Sequence, residues 1–178
     1  MHTITIHNKQ FTPWISQATI QDRVTQLAAD INKDYAGKKP LCIAILNGAF
    51  IFAADLFKQV TIEAEICFIK LVSYKGTSST GNVITAIGLD ENLADRHLII
   101  IEDIVDTGNT LHSFLPQLYN QQPASVNICA LLHKPEATIQ PLHIKYLGLS
   151  IENKFVLGYG LDYDGLGRNI PELYKLAD

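Results

Sequence analysis

Apolar positions along the chain alternate between a helical period and short continuous runs, which predicts helices and buried strands in turn. Residues 16–35 have the helical period, and Gly37 and Pro40 are expected to end that helix and mark a turn. Its apolar face would consist of Ile20, Val24, Leu27, Ala28 and Ile31. The continuous apolar run 41–46 is typical of a strand that is buried on both faces of a parallel sheet.

Periodicity in the rest of the chain predicts five further strands and two further helices. We expect the strands at residues 62–72, 83–87, 97–101, 126–132 and 144–149, and the helices at 49–58 and 110–120. Strands that alternate with helices favour a mainly parallel α/β sheet, here in a single domain spanning residues 1–178. Ligands of such sheets bind beyond the carboxyl ends of the strands, which directs attention to the residues after Ile101.

Residues 73–82 interrupt this pattern. They are mainly Ser, Thr, Gly and Lys and offer almost nothing to bury. Such a segment cannot contribute to a core, so we expect a mobile surface loop.

Residues 98–111 combine an apolar strand with a polar turn that enters a helix. Adjacent carboxylates, Glu102 and Asp103, follow the strand, and Asp106 comes about one helical turn later. The next four residues are small or polar: Thr107, Gly108, Asn109 and Thr110. Backbone N–H groups in such a turn can converge on a phosphate, and the helix that follows adds the positive end of its dipole.

Paired acids beside a phosphate-binding turn suit a ligand that carries both hydroxyls and a phosphate. Carboxylates accept hydrogen bonds from vicinal sugar hydroxyls, whereas they would repel a phosphate placed against them. A ribose 5-phosphate therefore fits, with the sugar on Glu102 and Asp103 and the phosphate on the turn. A solvated strand end followed by a helix cap is the better explanation of an isolated Asp-Thr-Gly, but the weaker one for the full run.

Composition narrows the class of protein. The 178 residues carry a net charge of −4 and no basic cluster longer than Lys38-Lys39, so neither nucleic acid nor an anionic membrane is expected as a partner.

Cys42, Cys67 and Cys129 lie in apolar runs without metal-ligand spacing, as buried thiols of a cytoplasmic protein would. Residues 1–16 lack a signal-peptide pattern. Charged residues make up 18% of the chain, below the typical ~25%, which favours a homo-oligomer.

Residues 102–110, Glu-Asp-Ile-Val-Asp-Thr-Gly-Asn-Thr, closely resemble the motif with which type I phosphoribosyltransferases bind PRPP (5-phosphoribosyl-1-pyrophosphate). Further matches to the hypoxanthine-guanine branch run in order from about residue 41 to residue 171. Residues 46–49 are similar to its pyrophosphate loop, which often contains a non-proline cis peptide. Residues 155–169 resemble its base-stacking and pyrophosphate segment, and Lys134 lies where the branch has the lysine that reads the purine.

The resemblance implies a purine salvage enzyme. Such an enzyme converts hypoxanthine or guanine and PRPP into IMP or GMP and pyrophosphate, with Mg²⁺ as cofactor. The implied fold is a mainly parallel central sheet flanked by helices, with a small hood region. Family members are commonly dimers or tetramers, so a homo-oligomer of either size is expected.

The resemblance also implies a role for each matching residue. Asp106 would be the general base at the purine imidazole, and Glu102 and Asp103 would bind the ribose hydroxyls. The 5′-phosphate would be bound by Asp106, Thr107, Gly108, Asn109 and Thr110. Pyrophosphate would be bound by Asn47, Gly48 and Arg168, and the lid would include Ser73 and Tyr74. The purine would contact Lys134, Phe155, Val156 and Asp162, and the metal would contact Glu102, Asp103 and Asp162.

Three departures from the family pattern affect charge near the ligand. Asn47 and Ala49 replace a Lys and a Gly found in many members, and Asn109 stands where Lys is frequent. His133 precedes Lys134 where an acidic residue is common. The carboxylates are unaffected, but the affinity for PRPP is expected to differ.

Three alternatives compete with this interpretation. A sibling transferase would use xanthine or a pyrimidine instead. A regulatory relative that keeps the PRPP motif and binds RNA should have a basic face, which this acidic chain lacks. A receiver-type signalling domain needs an acid pair on an early strand, and residues 1–40 contain none.

Overall fold

The computed structural model of the chain describes residues 2–74 and 83–177, with the backbone alone at residues 73, 74 and 83–86. The strands in these residues are β1 (Ile4–Ile6), β2 (Lys9–Ile15), β3 (Leu41–Leu46), β4 (Glu65–Tyr74), β5 (Val83–Ile87), β6 (His97–Val105), β7 (Ser125–His133), β8 (Tyr146–Ser150), β9 (Val156–Leu157) and β10 (Leu173–Leu176). The helices are α1 (Gln17–Asp34), α2 (Phe50–Phe57) and α3 (Asn109–Tyr119).

Six strands form a central sheet in the order β5-β4-β3-β6-β7-β8. Neighbouring strands from β4 to β8 are parallel, and β5 pairs antiparallel with β4 at one edge. Strand β3 is apolar throughout because both of its faces are covered. Cys42 and Ala44 pack with α1 and α2 on one face, whereas Ile43 and Ile45 pack with α3 on the other. The predicted mainly parallel α/β fold is confirmed.

A smaller antiparallel sheet, in the order β1-β2-β10-β9, joins the two ends of the chain. Phe11, Leu157 and Tyr174 are its buried core. This sheet is the hood that the family resemblance implied, but the chain pattern did not predict β1, β2 or β10. These strands are short or half-exposed, and β2 pairs with β10 across more than a hundred residues, so local periodicity carries little signal for them.

The observed bounds match most of the predicted elements. Helix α1 starts as expected, because Ser16 Oγ accepts a hydrogen bond from Thr19 N at 3.2 Å and so caps the helix. The predicted strand 62–72 was placed three residues too early, since β4 begins at Glu65. Residues 73 and 74, predicted as the start of a loop, extend β4, because Ser73 pairs with Ile84 and Tyr74 with Val83. The rest of the predicted mobile loop, residues 75–82, lies outside the described residues.

One boundary matters for the site. The strand predicted at 97–101 continues to Val105, because Glu102 pairs with Ala130 and Ile104 with Leu132 on β7. The paired carboxylates therefore lie inside the strand and not after it. The side chains of Glu102 and Asp103 therefore alternate as in a strand. The spacing of about one helical turn to Asp106 had suggested a helical arrangement instead.

The three cysteines are buried thiols, as the apolar runs around them in the sequence predicted. Cys42, Cys67 and Cys129 are free and buried. Burial raises the pKa of the Cys42 and Cys67 thiols to about 12, so both remain protonated at neutral pH. Along the described part of the chain, no helix is both long and apolar enough to cross a membrane.

Truncating a side chain at the centre of the core should destabilise the protein strongly. Phe52 on α2 is fully buried in the larger core cluster, so Phe52→Ala should lower the free energy of unfolding by about 3–5 kcal/mol. Phe50 on the same helix is 41% exposed, and Phe50→Ala should cost about 1 kcal/mol. Urea unfolding of the two variants measures the difference, and equal losses would contradict the assigned burial.

Candidate active site

Two adjoining cavities open at the carboxyl ends of the central strands, with volumes of about 260 Å³ and 370 Å³. The residues that line both are Ile45, Leu46, Glu102, Ile104 and Asp106. These residues lie on β3, on β6 or directly after β6, the two strands at the middle of the sheet. The cavities therefore occupy the edge where the parallel topology predicts a ligand.

The smaller cavity is lined by the turn that leads into α3. Gly108 precedes the helix with φ of 80° and, as glycine, has no side chain that could cap the helix start. A Cβ at this position would overlap the carbonyl oxygen of Gln140, so only glycine fits. Thr107 Oγ1 accepts a hydrogen bond from Asn109 N at 3.3 Å and stiffens the turn. The N–H groups of the helix start that follow Asn109 can donate to an anion, since Gly108 does not cap them.

The segment after β7 holds this turn in place from behind. The carbonyl of Thr107 accepts hydrogen bonds from Ile139 N at 3.0 Å and from Gln140 N at 2.9 Å. The carbonyl of Val105 accepts another from Lys134 N at 3.0 Å. Residues 134–140 therefore fix residues 105–108 through backbone hydrogen bonds. No sequence motif predicted these bonds.

Lys134 and Asp106 form an ion pair at the junction of the two cavities. Lys134 Nζ donates to Asp106 Oδ2 at 2.9 Å, and the lysine side chain is only 8% exposed, whereas the aspartate is 46% exposed. A buried ammonium needs such a partner, because an unpaired charge away from water is costly. The structure thus brings together the residue predicted to read the purine and the predicted general base.

Two neighbouring acids, the half-buried Glu102 and the buried Asp103, line the larger cavity. Burial, together with the hydrogen bond and the charge of Asp103, raises the pKa of Glu102 well above its usual value. Asp103 Oδ1 accepts a hydrogen bond from Ile104 N at 2.8 Å. Gly48 packs directly against the Asp103 carboxylate, which a Cβ at residue 48 would overlap. Two neighbouring carboxylates in this setting need a cation or hydroxyl donors beside them when both are ionised.

The predicted pyrophosphate loop follows β3, and the peptide bond between Leu46 and Asn47 is cis, as its resemblance to the family loop implied. The backbone beyond it is fixed on both sides. Phe50 N donates to Asn47 O at 3.4 Å, and Gly160 lies so close to the carbonyl of Gly48 that a Cβ there would overlap it.

Arg168 and Asp162 form a second ion pair in the larger cavity. Arg168 Nη2 contacts Asp162 Oδ1 at 2.7 Å, and Arg168 Nη1 donates to the Gly160 carbonyl at 2.7 Å. The other oxygen of Asp162 accepts from Gly165 N at 2.7 Å. These bonds hold the guanidinium over the Gly48 side of the cavity, where it could bind a phosphate in bidentate fashion.

An aromatic cluster supports Phe155, which lines the larger cavity and is 45% exposed. Its ring lies 5.7 Å from that of Tyr163, nearly perpendicular to it, and 6.2 Å from that of Phe11. Buried Val156 lines the cavity beside it. Neither Phe11 nor Tyr163 was expected at the site from the sequence. Phe11 comes from the unpredicted strand β2, whereas Tyr163 lies inside the quoted segment 155–169 and could have been found there.

Most predicted site residues line one of the two cavities. The exceptions are Asn47 and Asn109, which are exposed, and Ser73 and Tyr74, whose side chains lie outside the described structure. The apolar lining residues Ile104 and Leu161 were not singled out from the sequence, because nothing distinguishes them from core residues.

Glu102, Asp103 and Asp162 all line the larger cavity, but they do not form a ready-made metal cage. Within residues 2–74 and 83–177, no group of three or more His, Cys, Asp or Glu side chains is arranged to hold a metal ion. Mg²⁺ in proteins is commonly held by one or two carboxylates together with substrate phosphates and water. The oxygen ligands at Glu102 and Asp103 therefore fit Mg²⁺ that is shared with a phosphorylated substrate.

The family profile described as the phosphoribosyl transferase domain matches residues 16–164, which include both cavities' central strands and turns. This chain therefore belongs to the phosphoribosyltransferase family.

Curated relatives extend this result over nearly the whole chain. The hypoxanthine-guanine-xanthine phosphoribosyltransferase of Tritrichomonas foetus is 38% identical over 164 residues, covering 92% of this chain and 90% of the relative. The hypoxanthine phosphoribosyltransferase of Buchnera aphidicola is 39% identical over 165 residues, covering 91% of this chain and 93% of the relative.

Solved structures show the same fold. A hypoxanthine-guanine phosphoribosyltransferase from Bacillus anthracis superposes with a TM-score of 0.86 at 33% identity, covering 93% of this chain and 98% of that one. A hypoxanthine phosphoribosyltransferase from Staphylococcus aureus gives 0.87 at 37% identity, covering 93% and 91%. The chain is thus similar in sequence and structure to purine phosphoribosyltransferases.

Adding one methyl group at Gly48 should damage the site without unfolding the protein. Gly48→Ala would push the Asp103 carboxylate aside, and a displacement of this kind can cost about 100-fold in kcat/KM. Gly37→Ala is the control, since Gly37 lies in a turn away from both cavities with nothing within 4 Å of a new Cβ. At φ of 74° it should lose about 1 kcal/mol of stability and keep its activity. Equal activity of the two variants would contradict the assigned contact.

Proposed function

We propose that this chain transfers the phosphoribosyl group of PRPP to hypoxanthine and guanine, with Mg²⁺, and forms IMP or GMP and pyrophosphate. The observation that carries the proposal is the 2.9 Å pairing of buried Lys134 with Asp106 directly beside an uncapped helix start. This arrangement puts a base-recognition pair next to a phosphate site. The names of the curated relatives and solved structures agree with a purine as the acceptor.

The Lys134–Asp106 pair is complementary to one edge of a 6-oxopurine. An ammonium only donates hydrogen bonds and an ionised carboxylate only accepts them. Lys134 would donate to the 6-oxo group, and Asp106 would accept the proton of the neighbouring imidazole nitrogen as general base. Adenine would place a donating amino group against the ammonium, and such a mismatch reduces turnover strongly. The exposed face of Phe155 would stack on the purine, beside Val156.

PRPP would lie across both cavities. Its 5′-phosphate would bind the turn at residues 106–110, where Thr107, Gly108 and the helix start offer N–H and hydroxyl donors. Glu102 and Asp103 would accept hydrogen bonds from the ribose hydroxyls. The pyrophosphate would then extend toward Asn47, Gly48 and the guanidinium of Arg168.

Mg²⁺ follows from the charges around the larger cavity. Its described lining contains four carboxylates, Glu102, Asp103, Asp106 and Asp162, but only two cations, Lys134 and Arg168, each already in an ion pair. Without additional positive charge, the acids of this lining would repel a pyrophosphate. Mg²⁺, when bound to Glu102 and Asp103, would supply that charge and stabilise the leaving group.

Further parts of the proposal concern closure, compartment and assembly. Ser73 and Tyr74 would begin a lid that excludes water during transfer, as in the family that the chain resembles. Free buried thiols suit a cytoplasmic enzyme.

We also propose that the single domain assembles into a dimer or tetramer, in line with the low charge content and exposed aromatic residues such as Phe68.

A panel of bases tests the proposal directly. Purified protein with PRPP and Mg²⁺ should form nucleotide rapidly from hypoxanthine and guanine, about 10²–10⁴-fold more slowly from adenine, and not from uracil. Xanthine belongs in the panel because a xanthine-specific relative is the main alternative. PRPP binding without turnover of any base would reject the enzyme activity and favour a regulatory protein.

Removing the general base should abolish most of the rate. Asp106→Asn keeps the shape of the side chain but cannot take the imidazole proton, so kcat should fall about 10²–10⁴-fold. Asp22→Asn, at an exposed position on α1, is the matched control and should leave kcat unchanged. Retention of full activity by Asp106→Asn in a steady-state assay would contradict the role given to Asp106.

Restoring a frequent family lysine should strengthen PRPP binding. Asn109 is exposed at the first residue of α3, beside the proposed 5′-phosphate site, so the ammonium of Asn109→Lys should lower the KM for PRPP about fivefold. Asn120→Lys at the opposite end of the same helix is the control and should not change this KM. The effect should shrink in high salt, because exposed charge interactions are screened.

A further inference from the structure

A threonine hydroxyl behind the site contacts the backbone of both members of the central ion pair. Thr138 Oγ1 lies 3.0 Å from the carbonyl oxygen of Lys134 and 3.5 Å from that of Asp106. It also lies 3.0 Å from Nε2 of His133, the last residue of β7. Thr138 lines neither cavity, and the proposed reaction assigns no role to it or to His133.

The donors and acceptors in this group determine where the protons lie. Carbonyl oxygens only accept hydrogen bonds, so the 3.0 Å contact of Thr138 with Lys134 O is a hydrogen bond only when it uses the single hydroxyl proton of Thr138. The hydroxyl oxygen is then left as an acceptor for His133. In this arrangement the 3.0 Å contact with His133 is a hydrogen bond when the imidazole carries a proton on Nε2 and donates it to Thr138. An acidic residue at position 133, common in the family that the chain resembles, could not donate in this way when ionised.

These bonds complete the support of the Lys134 backbone. Its N–H donates to Val105 O at 3.0 Å, and its carbonyl accepts from the Thr138 hydroxyl and from Ala137 N at 3.1 Å. A lysine side chain is a flexible four-carbon stem, so the position of its ammonium depends on how firmly the backbone is held. Without the hydroxyl, the carbonyl side of Lys134 would be held only by the short turn Pro135–Ala137.

We infer that Thr138 and His133 are positioning residues that hold Lys134 in register with Asp106 for the purine. The inference rests on the proposed function. It predicts an effect on the base more than on PRPP, because the phosphate-binding turn has its own anchor. The bonds from Ile139 N and Gln140 N to Thr107 O involve only backbone atoms and persist when the side chain of Thr138 is changed.

Replacing the hydroxyl by a methyl group tests the inference. Thr138→Val should raise the KM for hypoxanthine about fivefold to tenfold, the loss typical of one hydrogen bond, and change the KM for PRPP less than about twofold. Thr138→Ser keeps the hydroxyl and should restore the wild-type KM for hypoxanthine. A wild-type KM in Thr138→Val, or an equal rise of both KM values, would overturn the inference.

Changes at His133 show whether the two residues act through one bond. His133→Leu removes the donor and should raise the KM for hypoxanthine, whereas His133→Gln offers an N–H at similar reach and should retain most of the affinity. Because the two side chains share a hydrogen bond, His133→Leu combined with Thr138→Val should be little worse than either alone. Multiplicative effects would show independent roles and refute the pairing.

A measurement on the unmodified protein covers the case of variants that do not fold. NMR of ¹⁵N-labelled histidine should show a proton on Nε2 of His133, and a ring protonated on Nδ1 alone would overturn the inference. This readout needs no turnover. Absence of any purine turnover by the wild type would therefore reject the proposed function, while the position of the proton would still decide the hydrogen bond.

Discussion

Parallel pairing of β6 with β3 on one side and β7 on the other is the constraint on which the site depends. The register places Val105 opposite His133, so the next residue of each strand emerges at the same point of the sheet edge. Those residues are Asp106 and Lys134, and their side chains meet at 2.9 Å. A slip of one residue would turn every side chain of a strand to the other face and destroy this pairing. The continuous apolar runs that bury both faces of the sheet therefore also fix the chemistry at its end.

The charges of the site are paired before any substrate enters. Lys134 bonds to Asp106 and Arg168 to Asp162, so the two described cations of the larger cavity are each neutralised by a neighbouring acid. Leaving a partly buried charge unpaired is far more costly than exchanging one partner for another. In the proposed reaction, the purine and the pyrophosphate would enter as such replacement partners. Both side chains would then already lie close to the positions that binding requires.

The small antiparallel sheet gives the other wall of the site. Its strands come from both ends of the chain, and its core residue Phe11 packs against Phe155 while Tyr163 holds the same ring from the side. These contacts fix the Phe155 ring, while nearly half of its surface stays exposed to the cavity side. The two sheets therefore contribute different groups to the site. The parallel sheet presents charges and backbone donors, and the antiparallel sheet presents an aromatic surface.

The sequence by itself determined the features whose cause is local. Helix α1 and the parallel strands follow from apolar periodicity, and the turn that we propose for phosphate follows from the small residues after Asp106, because these patterns act on adjacent residues. The tertiary structure alone decided the features that join distant segments. It extended β6 through Glu102 and Asp103, since pairing with β7 outweighs their polarity. It also paired β2 with β10 and brought the Thr138 hydroxyl within 3.5 Å of the Asp106 carbonyl, 32 residues away in the sequence. Contacts of this kind depend on which strands become neighbours, and no local pattern encodes that choice.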